Sequence, residues 1–351
     1  MKKKYLMDVV AIRLSLIFLL VIFHAICIYT NGGWVSPFKS EVNIPLYNWI
    51  GMLMHSFRLE TMVFISGLLL GYNSLKKQDA LSFHSCVTKK AKRILLPALF
   101  FGVFYYIIFF DLQAPWYSII WKLINGCGHL WFLPMIFWCF VLVCIISNTT
   151  PRQAYENEKY KIILVIAFCS SIINPIMFFP FGLGKASTFF IYFFMGYCIK
   201  TNRISLPSPT RKNICLAIVV FFASFLLYMV MRNNVQEGNS FMEKVLIIIS
   251  TNMCHTSNAL SAIYLIYIYA NRESVLRFLS GKQILITLSG YCYGVYIYQQ
   301  FILKLLYYRT QLPFVVNVYW LPWIAAGITI VLSLLLCHYS LKTRLGKFLI
   351  G

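Results

Sequence analysis

Long apolar runs, separated by short polar breaks, recur along the whole chain. A helix that crosses about 30 Å of hydrocarbon needs roughly 20 mostly apolar residues. The pattern therefore predicts ten membrane-spanning helices. Their approximate bounds are Val9–Tyr29, Tyr47–Tyr72, Ile94–Phe110, Leu130–Ser147, Lys161–Pro175, Ala186–Ile199, Asn213–Met231, Val245–Ala270, Ile284–Leu306 and Asn317–His338.

Three of these predicted helices depart from a regular span. The fifth and sixth are short and flank a turn rich in proline and glycine, which is compatible with tilted or partly re-entrant segments. The eighth carries Asn252, His255, Ser257 and Asn258 in its first half, and this polar stretch predicts a break there. The predicted fold is an all-α polytopic membrane helix bundle. We expect a single domain over residues 1–351, with no appended soluble domain.

Composition and charge support a membrane protein. The chain is 60% hydrophobic and 12% charged, whereas soluble domains average about 45–50% and about 25%. A net charge of +21 is typical of nucleic-acid binding only on a soluble surface, which this chain hardly offers. Of the 31 Lys and Arg residues, 22 fall in alternate polar segments. The positive-inside rule then predicts that both termini are cytoplasmic.

The first helix carries two ionisable residues, Arg13 and His24. Eleven steps of about 100° bring their side chains to within about 20° of one direction, roughly 16 Å apart along the axis. Ionisable groups inside a membrane are costly and usually functional, so this stripe predicts a site in the bundle interior. Two alternatives stay open, because Arg13 at a helix end can snorkel to the surface and His24 can be a satisfied packing residue.

Glu60, near the middle of the second helix, is the third intramembrane ionisable residue, with Arg58 close by. The second helix runs antiparallel to the first, so Glu60 is expected to approach His24. A carboxylate that orients an imidazole produces a general base able to deprotonate a hydroxyl. The alternative is a structural ion pair of Glu60 with Arg58 or Arg13.

Two further groups are candidates for binding. The basic cluster that contains Lys89, Lys90 and Arg93 is either a topology anchor or a site for a phosphorylated cytosolic ligand. Tryptophans predicted on the outer side are a candidate sugar platform; they are Trp34, Trp49, Trp116 and Trp131. Most of the eleven cysteines lie in apolar spans without a metal-binding spacing, and we interpret them as small packing residues. No bound metal is expected.

An ordered set of short motifs resembles the acyltransferase-3 family of bacterial membrane acyltransferases. The motifs are Arg13-x10-His24, Phe64-Ile65-Ser66-Gly67, Lys90-x-x-Arg93-x-x-x-Pro97, His129-Leu130-Trp131-Phe132-Leu133, Phe193-Phe194-Met195-Gly196-Tyr197 and Gly294-Val295-Tyr296-Ile297-Tyr298. Many family members have a histidine after the last motif, where this chain has Gln299. Any role of a second histidine at that place is therefore lost.

The resemblance implies an O-acyltransferase of about ten helices in the bacterial cytoplasmic membrane. The implied co-substrate is a cytosolic acyl-CoA, most simply acetyl-CoA, with no bound cofactor. The implied acceptor is a hydroxyl of an envelope or exported glycan or of its lipid-linked precursor. His24, Glu60 and Arg13 are the expected catalytic residues, and Arg13 with Lys89, Lys90 and Arg93 would bind the donor. Acceptor binding is assigned to Arg58, Trp131 and Gln299.

Two other functions fit part of the pattern. A transporter or flippase of glycan precursors needs the same helices and buried polar residues but no acyl donor. A catalytically silent relative acting as a scaffold is disfavoured by the intact set of Arg13, His24 and Glu60. The partners expected are acyl-CoA, the glycan acceptor and membrane lipid, without nucleic acid. The sequence leaves the acyl chain length, the acceptor sugar and the oligomeric state open.

Overall fold

A computed structural model describes residues 6–30, 33–38, 42–77, 83–149, 156–173, 179–234 and 240–351. All regular secondary structure in these stretches is helical, which confirms the predicted all-α class. The helices are α1 (Met7–Ile26), α2 (Pro45–His55), α3 (Arg58–Lys77), α4 (Phe83–Lys90), α5 (Leu96–Phe109), α6 (Trp116–Asn125), α7 (Phe132–Thr149), α8 (Glu156–Ile173), α9 (Leu183–Lys200), α10 (Arg211–Asn234), α11 (Phe241–Ala270), α12 (Glu273–Leu279), α13 (Gln283–Arg309), α14 (Leu312–Val315), α15 (Leu321–Ser340) and α16 (Arg344–Ile350).

Six helical stretches of the described residues are long and apolar enough to cross a membrane. They are Met7–Tyr29, Pro45–Leu75, Phe83–Phe109, Gly128–Asn148, Arg211–Arg232 and Leu321–Ser340. Large apolar side chains such as Phe104, Val219 and Leu226 are about half exposed on these helices, as expected for surfaces that face lipid. The chain is therefore a membrane protein.

The other four predicted spans coincide with α8, α9, α11 and α13, which are not among these six stretches. Each has at least 18 residues. The predicted end of the fifth span at Pro175 lies outside the described residues. A count of ten spans stays a prediction.

The second predicted span is not one helix, because it is divided at Ser56 and Phe57 into α2 and α3. The Ser56 hydroxyl donates to the Leu53 carbonyl at 2.8 Å and satisfies one of the last carbonyls of α2. Glu60 was expected near the middle of a helix, but it lies in the first turn of α3. The positive end of the helix dipole there favours a carboxylate.

The predicted break in the eighth span is wrong, because α11 runs unbroken from Phe241 to Ala270. Its polar side chains bond sideways to neighbouring helices and leave the helix backbone intact. Asn252 donates to the Ile172 carbonyl of α8 at 3.1 Å. Asn258 donates to the Phe221 carbonyl of α10 at 2.8 Å.

The third span is longer than predicted, since helical residues begin at Phe83 rather than Ile94. The basic cluster therefore lies within a helical rod. The segment Ala91–Leu95 forms a π-helix just before Pro97, whose missing N–H prevents regular pairing with the Arg93 carbonyl. Cys86 of α4 forms a disulfide with Cys144 of α7, so the expectation of purely packing cysteines fails for this pair.

The chain forms two compact units. The first consists of Met1–Arg58 with Ile266–Gly351, and the second is Leu59–Leu265. The single functional domain expected over residues 1–351 stays a prediction. In the second unit, α9 packs against α7 and α8, and α4 packs against α7.

In the first unit, α1 packs against α13 and α15. The early part of α1 meets the early part of α13, since Arg13 acts electrostatically on Cys292. The late part of α1 meets the late part of α13, because Tyr307 donates to the Ala25 carbonyl at 2.7 Å. The two helices are therefore parallel.

Helix α15 runs antiparallel to α13. Its last residues meet the first half of α13, because the Cys337 sulfur lies 3.7 Å from the Tyr291 carbonyl oxygen. Within this unit the start of α1 and the end of α15 consequently lie on the same side.

Candidate functional site

His24 lies in the last turn of α1 and is 9% exposed. Its Nδ1 atom is 2.9 Å from the side-chain oxygen of Gln299 in α13. Gln299 is fully buried, and its amide nitrogen donates to the Tyr296 carbonyl at 3.5 Å. The structure thus brings together two residues that the sequence assigned to separate roles, His24 to catalysis and Gln299 to acceptor binding.

An indole ring lies beside the imidazole. The chain turns back after α1, and the backbone N–H of Trp34 donates to the Cys27 carbonyl at 3.0 Å. This turn stacks the Trp34 ring on His24, with ring centroids 5.8 Å apart and an interplanar angle of 9°. The Lys304 ammonium lies 5.5 Å from the Trp34 ring centroid. Trp34 is half-buried and presents an aromatic surface next to His24.

Arg58 is buried near the same histidine, with only 1% of its surface exposed. Its guanidinium carbon lies 4.1 Å from the centroid of the Phe23 ring, the residue before His24. A buried guanidinium over an aromatic face makes a strong cation–π contact. The structure places this predicted acceptor-binding residue inside the first unit rather than on an exposed surface.

Arg13 is half-buried on the same helix as His24 and lies close enough to Cys292 of α13 to act on it electrostatically. Both residues of the Arg-x10-His motif therefore face the same neighbouring helix. This agrees with the predicted shared direction of the two side chains. Their catalytic roles stay predictions.

Glu60 belongs to the second unit and is 2% exposed. Its Oε1 atom lies 3.5 Å from Nε2 of His255 in α11. The His255 ring lies 5.2 Å from the ring of Tyr228, whose hydroxyl accepts a hydrogen bond from Arg232 at 3.1 Å. The structure gives Glu60 a histidine partner that the sequence did not identify. The predicted approach of Glu60 to His24 stays a prediction.

The residues of the basic cluster differ in how exposed they are. Lys89 and Arg93 are exposed, whereas Lys90 is half-buried, with its ammonium 3.6 Å from the centroid of the Phe140 ring. Lys89 and Arg93 are therefore more accessible to a soluble anionic ligand than Lys90.

Trp131 ends a short 3-10 turn in the second unit. Gly126, which lies before this turn, has a φ of 88°, and a side chain there would collide with the Trp131 backbone. The Lys185 ammonium lies 3.9 Å from the Trp131 ring centroid. Partial burial lowers the pKa of Lys185, which lies just before the predicted span that starts at Ala186.

Three functional candidates were missed from the sequence: His255, Lys304 and the pairing role of Gln299. His255 was visible only as one polar residue of a predicted break. The Lys304 and Gln299 contacts join positions about 270 residues apart in the chain, and no local pattern reveals such pairs.

One of three comparisons with known proteins identified a family. Neither a search of curated proteins nor a search of solved structures gave a match. A family model described as an acyltransferase domain matches residues 9–340, which is nearly the whole chain and includes His24, Glu60 and Gln299. The chain belongs to the acyltransferase-3 family.

Proposed function

We propose that the protein is an O-acyltransferase of the bacterial cytoplasmic membrane. It transfers an acetyl group from cytosolic acetyl-CoA to a hydroxyl of an envelope or exported glycan, or of the lipid-linked precursor of that glycan. The observation that carries the proposal is the buried His24, hydrogen-bonded to Gln299, in a chain that belongs to an acyltransferase family.

The reaction needs one group that takes and returns a proton. In the proposed mechanism, His24 accepts the proton of the acceptor hydroxyl as its oxygen attacks the thioester carbonyl carbon. The new C–O bond forms, the C–S bond breaks, and the proton passes to the departing thiolate. The products are the acetyl ester and free CoA, so atoms and charges balance without a further reactant.

The donor carries several negatively charged phosphates. Lys89 and Arg93 are exposed cations suited to such groups, with Lys90 beside them. Arg13 lies on the face of α1 that also carries His24, and we assign it to the inner part of the donor path. We assign Glu60 a supporting role in catalysis, together with His255, which its carboxylate contacts.

The acceptor is expected on the side of His24. A sugar ring can stack on the half-buried Trp34 indole, and Lys304 provides a donor for its hydroxyls or acidic groups. Arg58 and Trp131 remain the other acceptor-binding candidates. An aromatic ring next to a general base favours an acceptor with a flat apolar face, as in a pyranose.

The proposed topology has ten spans with both termini in the cytoplasm. Its support is the packing in the first unit, where parallel α1 and α13 and antiparallel α15 bring the start of α1 and the end of α15 to one side. The basic residues of the terminal segments assign that side to the cytoplasm. His24 then lies toward the outer leaflet, close to an exported acceptor.

Release of CoA from acetyl-CoA tests the proposal. Purified protein in nanodiscs is mixed with acetyl-CoA and a thiol reagent, with and without an extract of lipid-linked glycans. We expect CoA release in the wild type, stimulated by the extract and abolished in His24→Ala. A matched control is His84→Ala, which changes an exposed histidine and should leave the rate unchanged.

Two results would overturn the proposal. Equal rates in the wild type and in His24→Ala would exclude His24 as the base. Failure of the wild type both to bind acetyl-CoA and to release CoA would exclude the transferase and favour the transport of glycan precursors.

A further inference from the structure

One polar contact of His24 is with Gln299, a side chain that cannot titrate. The two side chains are buried, and the amide oxygen is 2.9 Å from Nδ1. An amide oxygen only accepts hydrogen bonds, so the imidazole must donate. Nδ1 therefore carries the ring proton, and the lone pair of the neutral imidazole is on Nε2.

The orientation of the amide follows from its second contact. The Gln299 nitrogen faces the Tyr296 carbonyl at 3.5 Å, one turn earlier in α13. The reversed amide would set its oxygen against that carbonyl oxygen, with two acceptors facing each other and no proton between them. The helix backbone thus selects the amide orientation, and the amide selects the imidazole tautomer.

The ring is also held from a second direction. The Trp34 indole lies nearly parallel to the imidazole. The edge of Trp34 in turn meets the Tyr307 ring, with centroids 6.3 Å apart and an interplanar angle of 73°. Rotation of the imidazole would break both the stacking and the hydrogen bond. The ring therefore has a fixed plane as well as a fixed tautomer.

We infer that Gln299 is the positioning residue of His24, and that it leaves Nε2 as the atom that accepts the hydroxyl proton. This inference rests on the proposed acyl transfer. It reassigns Gln299 from acceptor binding to the support of the base. Because a glutamine has no proton to gain or lose between pH 5 and pH 9, it presents the same acceptor to Nδ1 across that range.

The tautomer is measurable without any activity. The protein is labelled with ring-15N histidine in nanodiscs, and the His24 signals are identified by their loss in His24→Gln. At a pH where the ring is neutral, we expect Nδ1 protonated and Nε2 unprotonated. Gln299→Leu should redistribute the proton between the two nitrogens. A wild-type ring protonated at Nε2 would overturn the inference.

Kinetics provide the second measurement. Gln299→Leu should lower kcat by about 10²-fold, the lower range for a positioned general base, with little change in the KM for acetyl-CoA. Gln299→Glu should retain activity, while the acidic limb of its pH–rate profile moves to higher pH, because a carboxylate stabilises the imidazolium and the base becomes available later. A merely structural Gln299 would not move this limb.

The control is Gln300→Leu, which removes the adjacent buried amide. It reports the effect of losing a buried glutamine in α13, and we expect less than a threefold change in kcat. An unchanged kcat and pH profile in Gln299→Leu would overturn the inference. If the wild type neither binds acetyl-CoA nor releases CoA, the proposed function fails, while the 15N measurement still decides the tautomer.

Discussion

Gly67 of α3 packs directly against the backbone of Phe193 in α9, and a methyl group on Gly67 would overlap the Phe193 carbonyl oxygen. The contact is reciprocal one turn away, where a methyl group on Gly196 would overlap the Phe64 carbonyl oxygen. Two family motifs, Ser66-Gly67 and Met195-Gly196, thus meet as a close helix–helix contact. Small residues allow such an approach in membrane helices.

Replacing Gly67 with alanine should therefore force α3 and α9 apart. We expect Gly67→Ala to lower the free energy of unfolding by about 1–3 kcal/mol, the usual cost of overpacking, measured by denaturant unfolding in detergent. Gly290→Ala is the matched control, since its methyl group meets nothing within 4 Å. That change should be neutral or stabilise the helix by up to about 1 kcal/mol. Equal effects of the two variants would contradict the packing role.

The Glu60–His255 contact distinguishes two roles of the carboxylate. If Glu60 acts with His255, the variants Glu60→Gln and His255→Gln should lower the acetyl-transfer rate by similar factors, and the double variant should be little worse than either one. Coupled residues depart from additivity in this way. A double variant whose loss equals the product of the single losses would separate the two residues, and would favour the predicted action of Glu60 on His24.

Trp34 is expected to act mainly on acceptor binding, because the Gln299 hydrogen bond still holds His24 when the stacking is lost. Trp34→Leu should raise the KM for the glycan acceptor about tenfold, which corresponds to about 1.4 kcal/mol of stacking, whereas Trp34→Phe should keep most of the affinity. Slow CoA release without acceptor should continue in both variants. Trp320→Leu changes a 65% exposed tryptophan and is the control. Loss of acceptor-independent release in Trp34→Leu would show that the Gln299 hydrogen bond alone does not hold His24, and would contradict a role mainly in acceptor binding.

The basic cluster should respond unequally to the loss of its charges. Lys89→Gln and Arg93→Gln should each raise the KM for acetyl-CoA by about threefold to tenfold, with a smaller effect at high salt, because exposed cations are screened. Lys90→Gln should change this KM less, since the Lys90 ammonium faces the Phe140 ring. The measurement is the initial rate of CoA release against acetyl-CoA concentration. A uniform and salt-independent response would indicate a structural anchor.

Much of the fold follows from hydropathy. A membrane leaves a backbone few choices other than helices, so apolar length alone predicted the helical class and the six clearest spans. Charge asymmetry predicts the sidedness, which stays a prediction. Residue spacing placed Arg13 and His24 on one face of α1, because helical periodicity is a local property.

Tertiary contacts decided where helices continue and where they end, which the local sequence pattern does not determine. The polar residues of α11 looked like a break, but the neighbouring carbonyls of Ile172 and Phe221 satisfy its asparagines, and the helix continues. Glu60 looked like part of one long helix, but a break at Ser56 places it at a helix start.

The partner of each buried group is the clearest case. The sequence determined that His24 and Glu60 are ionisable residues within apolar helices. Because burial of such residues is costly, it marked them as functional candidates. Only the tertiary structure gave His24 the amide of Gln299 and gave Glu60 the ring of His255. Polar contacts of this kind need atoms within about 3–3.5 Å of each other, and helices far apart in the sequence meet at such distances only after packing.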